Sequence, residues 1–186
     1  MNVYEHCPVL TRGEMTLRLV EPGDAAALVK VYGDERATAL CNSDNCHYGA
    51  FHIPTEEAMA RCIDAWLAEY RQGWFVRWTV VHGGEAVGTI ELFRRESADA
   101  FHQHGILRVD LRPDYETEPF LTELLALIHQ HAYDLFDCGI LATKATPAAA
   151  VRRRALAQSG YLLSENRLAG NDGTLYGDYW VRPVSR

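Results

Sequence analysis

The residues with the clearest chemical potential lie where Leu111-Arg112-Pro113-Asp114-Tyr115-Glu116-Thr117-Glu118-Pro119-Phe120-Leu121 leads from a strand, through a turn, into an apolar-periodic helix. The first N–H groups of a helix are unpaired and carry partial positive charge, so such a junction is a natural phosphate seat. This one holds Glu116 and Glu118 and contains no glycine. Two readings fit. One is an anion site filled with carboxylates. The simpler one is a well-made helix start, with Thr117 or Glu118 as cap, a proline in the first turn and acidic residues complementing the dipole.

Other reactive groups are scattered. Cys41-x4-Cys46-His47, with His52 nearby, resembles half of a zinc site. A zinc site needs a second ligand pair, and Cys7 and Cys62 are isolated, so no metal is expected and the thiols read as free. His102 and His104 share a strand face by period-two spacing, as a base, as metal ligands or as plain surface residues. Arg152-Arg153-Arg154 opens a helix and reads most simply as a solvated face. Trp66, Trp74, Trp78 and Tyr70 read as core and rim packing.

These residues must be positioned by a fold of moderate size. The 186-residue chain is 48% hydrophobic and 23% charged, which suits a globular domain with a sizeable core. A net charge of −7 argues against a general nucleic-acid or anionic-membrane binder. Five dispersed cysteines do not suggest a disulfide framework. No apolar run is long enough to span a bilayer and the N-terminus has no signal-like pattern, so a cytoplasmic protein is expected.

Along the chain, residues 1–14 read as a leader without periodicity, before a strand from Met15 to Val20. A turn at Glu21–Asp24 and a helix from Ala25 to Tyr32 follow. Residues 33–53 read as a long binding loop or lid. Pro54 opens a helix with Met59, Cys62, Ile63, Trp66, Leu67 and Tyr70 on one face. A hairpin of Trp74–Val81 and Glu85–Phe93 turns at His82-Gly83-Gly84, and a strand runs from Phe101 to Leu111. A helix from Thr117 or Glu118 to Phe136, a strand at Gly139–Thr143 and a helix from Pro147 to Gln158 come next. Tyr161–Leu168 and Thr174–Arg182 are the last strands, joined by Gly170-Asn171-Asp172-Gly173. The order β-α-α-β-β-β-α-β-α-β-β predicts one α/β domain over 1–186. Its single mixed, mostly antiparallel sheet carries helices on both faces.

That order and four stretches resemble the GNAT superfamily of acyl-CoA-dependent N-acetyltransferases. The branch that acetylates the N-terminal Ala or Ser of ribosomal proteins is the most similar. The stretches are Leu17–Asp24, Ala86–Leu92, Pro113-Asp114-Tyr115 with Phe120–Leu125, and Ala155–Tyr161. The resemblance implies acetyl transfer from acetyl-CoA, as co-substrate, to the primary amine of a small molecule or peptide, with no metal, nucleic acid or membrane involved. It puts the cofactor where the strands ending at Leu111 and Thr143 splay apart, beside Leu111, Glu116, Thr117, Glu118, Pro119, Phe120, Leu121 and Arg152. The amine would approach under residues 33–53.

The family's phosphate loop is Gln/Arg-x-x-Gly-x-Gly/Ala. Here Glu116 stands at the basic or amide position, and Pro119 and Leu121 stand at the glycines. Proline has no N–H to donate, and leucine obstructs close backbone approach. Each carboxylate ~5 Å from a pyrophosphate opposes it by about 3 kcal/mol. Ala149 stands where the family often has Asn, and Leu156 where many members have a general-acid Tyr. Acetyl transfer needs a base for the ammonium and donors for the oxyanion. Glu91 and Asp110, near the middle of the sheet, are the candidate bases, and Tyr161 is the nearest hydroxyl to the missing acid. The alternative is a GNAT-fold protein that has lost acetyl-CoA binding and serves as a ligand- or partner-binding module. A third option places a cationic ligand in the same cleft.

Overall fold

The computed structural model describes residues 2–44 and 51–184. One eight-stranded sheet dominates. Its strands are β1 (Leu10–Arg12), β2 (Met15–Leu19), β3 (Val76–His82), β4 (Glu85–Arg94), β5 (Gly105–Leu111), β6 (Ile140–Lys144), β7 (Leu162–Leu163) and β10 (Tyr179–Pro183). They lie in the order β1-β2-β3-β4-β5-β6-β10-β7. Every pair is antiparallel except β5 with β6. Strands β8 (Leu168–Ala169) and β9 (Leu175–Tyr176) form a separate hairpin.

The strands read as near-continuous apolar runs because helices cover both faces. In β3, Val76, Trp78 and Val80 point to one side, where they join Leu124, Leu125 and Ile128 of α4 (Glu118–His129) and Leu156 of α6 (Ala150–Gln158). Arg77 and Thr79 point to the other side, beneath α1 (Ala25–Tyr32) and α3 (Glu56–Arg71). α3 starts where Thr55 accepts a hydrogen bond from the Ala58 N–H, with Glu56 and Glu57 in its first turn. Its buried residues Met59, Ile63, Trp66 and Tyr70 recur at helical spacing.

The splay between β5 and β6 sets up the site. Their parallel pairing covers only Gly105–Leu107 against Leu141–Thr143. β5 then continues to Leu111 paired with β4 alone, so a gap opens beyond Leu107. Gly88 of β4 lies opposite Leu111, and a Cβ there would sit 2.3 Å from the Asp110 carbonyl oxygen. Only glycine admits that approach.

Several sequence expectations need correction. The leader contains β1 and buries Val3 and Leu10, and the Val3 carbonyl accepts a hydrogen bond from Tyr70. Isolated anchors of this kind leave no periodic trace. A short helix, α2 (Glu35–Thr38), interrupts the expected long loop. β5 begins at Gly105, so His102 and His104 lie in the preceding turn and not on a strand. The helix expected to reach Phe136 stops at His129, and α5 (Ala132–Leu135) follows. That break lets Tyr133 reach the Arg182 carbonyl and Phe136 pack edge-on against Tyr4. The two long final strands are divided among β7, β8, β9 and β10.

Gly88→Ala is expected to lower unfolding free energy by roughly 1–3 kcal/mol, because the β4–β5 backbones must move apart. Urea denaturation checks this, and an unchanged midpoint contradicts it.

Candidate functional site

Strand register arranges the polar residues of the α1/α3 face in two rows. Arg77, Glu91 and Arg108 lie side by side across β3, β4 and β5. Arg18, Thr79, Thr89 and Asp110 form the next row. Arg77, Glu91 and Asp110 are each at most 4% exposed. The Arg77 guanidinium donates to Glu91, lies 3.4 Å from Asp110, and stacks 4.0 Å above the Trp66 ring. Arg108 approaches the other oxygen of Glu91 at 3.3 Å. The Tyr32 hydroxyl donates to Asp110 at 2.9 Å and accepts from Arg77 at 3.0 Å. Burial and the Asp110 charge push the Tyr32 phenol well up, so it stays neutral. At one edge, burial works to raise the Asp24 carboxyl, but hydrogen bonds from Arg18 and Thr79 hold it below its ordinary value.

A second cluster closes the gap between β5 and β6. Asp44 bridges it: its carbonyl accepts from Arg108 at 3.1 Å, and its carboxylate meets Lys144 at 2.5 Å and Tyr179 at 3.0 Å. Arg152, in the first turn of α6, grips Glu116 through two hydrogen bonds of 2.8 Å and donates to the Leu40 carbonyl at 3.1 Å. Both side chains of the Arg152–Glu116 pair are at most 8% exposed. Outside this pair, Glu118 accepts from Arg154 at 2.8 Å and from Gln158. The starts of α4 and α6 are therefore clasped by ion pairs, and residues 40–44 lie across the splay.

The sequence-selected residues separate accordingly. Glu91 and Asp110 meet at Arg77 on the α1/α3 face. Both serve as counter-charges to the buried Arg77 guanidinium. Tyr161 lies in the opposite core, 1% exposed, with its hydroxyl 3.0 Å from His129 Nε2. Burial pushes that phenol far up. At the turn, Leu111 and Leu121 are core residues, and Phe120 packs against Tyr115 and His82. Thr117 is the N-cap of α4 and its carbonyl accepts from the Leu121 N–H at 2.9 Å, while Pro119 sits in the first turn.

Cys46 and His47 of the suggested zinc motif lie outside the described residues. Cys41 donates to the Ala37 carbonyl, and burial followed by Asp110 pushes its thiol far up. Among the described residues no group of three His, Cys, Asp or Glu side chains could hold a metal ion, and no helix is long and apolar enough to cross a membrane.

Sequence reasoning missed Arg77, Tyr32, Trp66 and Asp44. Arg77 had a usable signal: a lone charge inside Val76-Arg77-Trp78-Thr79-Val80-Val81, an otherwise buried strand. The Arg152–Glu116 partnership spans 36 residues and had none.

Residues 14–161 match the family profile described as Acetyltransferase (GNAT) domain. Comparison with curated proteins finds no match. Among similar solved structures is RimJ of Mycobacterium smegmatis in complex with CoA-disulfide, at 18% identity, TM-score 0.70, covering 94% of this chain and 84% of that one. An acetyltransferase of the GNAT family from Bacillus anthracis shows 13% identity, TM-score 0.69, and coverage of 96% and 100%. An acetyl transfer enzyme from Salmonella typhimurium, which modifies the N-terminal serine of ribosomal protein L7/L12, shows 11% identity, TM-score 0.69, and coverage of 96% and 100%. At these identities the likeness concerns the fold, and it includes the ribosomal-protein branch that the sequence resembles.

His129 supplies a pH test of the core that holds Tyr161. Burial, with help from the Arg182 charge, pushes its imidazole down to about 4. Its unfolded value is about 6.5, so below that pH the unfolded chain takes up the proton first. Stability is therefore complete above about pH 6.5 and falls by roughly 2–3 kcal/mol toward pH 4. His129→Gln is expected to flatten that limb of the stability profile, as measured by denaturation at stepped pH. An unchanged slope contradicts the assignment.

Proposed function

This chain belongs to the GNAT acetyltransferase family, and from that premise we propose that it is a member that has given up the acetyl-CoA seat and acts as a ligand- or partner-binding module. The observation that carries this reading is the buried Arg152–Glu116 pair at the start of α4.

Acetyl-CoA does not fit the arrangement at either of two places. A pyrophosphate needs backbone N–H donors at the helix start. Here Pro119 has none, the Leu121 N–H is bonded to Thr117, and the carboxylates of Glu116 and Glu118 occupy the approach. The rest of the cofactor needs the gap between β5 and β6. That gap is crossed by Asp44, bonded to both strands, and its mouth is tied by Arg152 to Leu40. Displacing Arg152 from Glu116 would leave a buried carboxylate without its cation, at a cost of about 3–5 kcal/mol. Arg152 already commits three of its five N–H donors, two to Glu116 and one to the Leu40 carbonyl.

A second reading is acetyl transfer from acetyl-CoA to a primary amine of a small molecule or peptide. The family match and the RimJ relative solved with CoA-disulfide favour it. It requires residues 40–44 to leave the splay and Arg152 to release Glu116.

Calorimetric titration with acetyl-CoA separates the two. The unmodified chain is expected to give no saturable heat at millimolar concentration. A Glu116→Gln, Pro119→Gly, Arg152→Ser variant restores neutral groups and an N–H at the helix start, and is expected to bind. Saturable sub-millimolar binding by the unmodified chain contradicts the proposal.

A further inference from the structure

The two edges of the large sheet are built differently. At one end β1 presents Thr11 and Arg12, both exposed and polar. A charge in such a place keeps an edge from pairing with another chain. At the other end β7 presents Leu162, 71% exposed, and Leu163, 48% exposed. It carries no charge and no proline, and among the described residues no strand pairs with its outer side. An edge with two exposed leucines and no guard is one that a further strand completes.

The backbone shows what this edge can bond. β7 pairs antiparallel with β10, Leu163 opposite Trp180 and Leu162 opposite Val181. The Ser164 N–H donates to the Tyr179 carbonyl at 2.8 Å, so the next pair along is a hydrogen-bonded one. Hydrogen-bonded and non-bonded pairs alternate along an antiparallel ladder, which turns the Leu163 N–H and C=O outward. The strand is therefore complementary to itself. Placed antiparallel about a two-fold axis at Leu163, two copies exchange both Leu163 hydrogen bonds and bring their Leu163 side chains together. Leu162 then lies opposite Ser164 of the second copy, and Tyr161 opposite its Glu165. Such a contact is isologous and closes at two copies.

The charges agree with that register. Tyr161 and Trp180 both pack into the α4/α6 core, and Leu163, paired with Trp180, shares their face. On this face the Arg153 guanidinium lies 5.3 Å from the Trp180 ring, and Arg182 donates to the Ser159 carbonyl at 2.9 Å, beside the start of β7. Both cations stand near the Tyr161 end of the strand, which receives the exposed Glu165 of the second copy. Opposite charges so placed orient the two partners. We propose that the β7 edge is a homodimer interface, in which two copies join their sheets at Leu163 and each Glu165 faces Arg153 and Arg182 of the other copy. The interface lies two strands beyond β6, outside the splay between β5 and β6, so it is independent of whether acetyl-CoA binds.

Sedimentation velocity of the full chain over a concentration series tests this. The mass is expected to rise to that of two chains and, because the contact is short, to fall again on dilution. Leu163→Lys places a guard on the exposed edge and is expected to raise the dissociation constant about tenfold or more while leaving the urea midpoint unchanged. Thr11→Lys, on the opposite edge, is expected to leave association unchanged. Glu165→Arg is expected to weaken it, more at low salt than at high. The two Cα atoms of a hydrogen-bonded antiparallel pair lie about 5.5 Å apart, within disulfide reach. Leu163→Cys is therefore expected to link to its own copy in oxidised glutathione, and Thr11→Cys is not. A chain that stays monomeric at every concentration overturns the proposal, and that is also the result if the edge pairs with a strand of a different protein. A dimer indifferent to Leu163→Lys, or a Leu163→Cys variant that links no faster than Thr11→Cys, overturns it as well.

Discussion

A guanidinium buried in the middle of a sheet cannot be left without counter-charge, and Arg77 imposes that constraint on the α1/α3 half of this structure. It is 3% exposed and is the second residue of β3. Removing such an ion from water costs several kcal/mol unless opposite charges and hydrogen bonds surround it. The register of β4 and β5 brings Glu91 and Asp110 within reach, α1 brings the Tyr32 hydroxyl, and α3 lays Trp66 over the guanidinium plane. These partners come from separate segments. Compensating one charge therefore fixes how both helices sit on the sheet.

The same logic operates at the splay. Arg108, Lys144 and Arg152 enter the region between β5, β6 and the helix starts. They are met by Glu91, Asp44 and Glu116. With Arg77 and Asp110, each buried cation has a carboxylate. In a nucleotide-binding arrangement some of these positive groups would be reserved for phosphates. Here the chain supplies the anions itself. The acidic substitutions at the α4 start and the arginine at the α6 start are complementary halves of one feature, and each makes sense only with the other.

The fold class was legible in the sequence because periodicity survives wherever a whole face is buried. α3 carries its apolar stripe at Met59, Ile63, Trp66 and Tyr70, and the β3–β4 hairpin announces itself through His82-Gly83-Gly84. β1 and α2 were not legible, because each is only a few residues long and held by isolated contacts such as Leu10 and Ala37. At the α4 start, the residue types at Glu116, Pro119 and Leu121 were legible as departures from the loop pattern of the family the sequence resembles. Their replacement partner was hidden, since local sequence carries no information about which arginine, tens of residues away, lies across a gap. Arg152 was read as a solvated or phosphate-facing residue, and its burial against Glu116 follows from the packing of α4 on α6.

The account depends on the Arg152–Glu116 pair being a fixed internal part and not a surface contact that parts readily. A double-mutant cycle in stability measures this directly, using Glu116→Gln, Arg152→Met and the two combined. Each single change should cost about 3–5 kcal/mol, the combined change should cost less than their sum, and the coupling should be at least about 2 kcal/mol. A coupling below about 0.5 kcal/mol, as for exposed pairs, would contradict the claim that the seat is held closed.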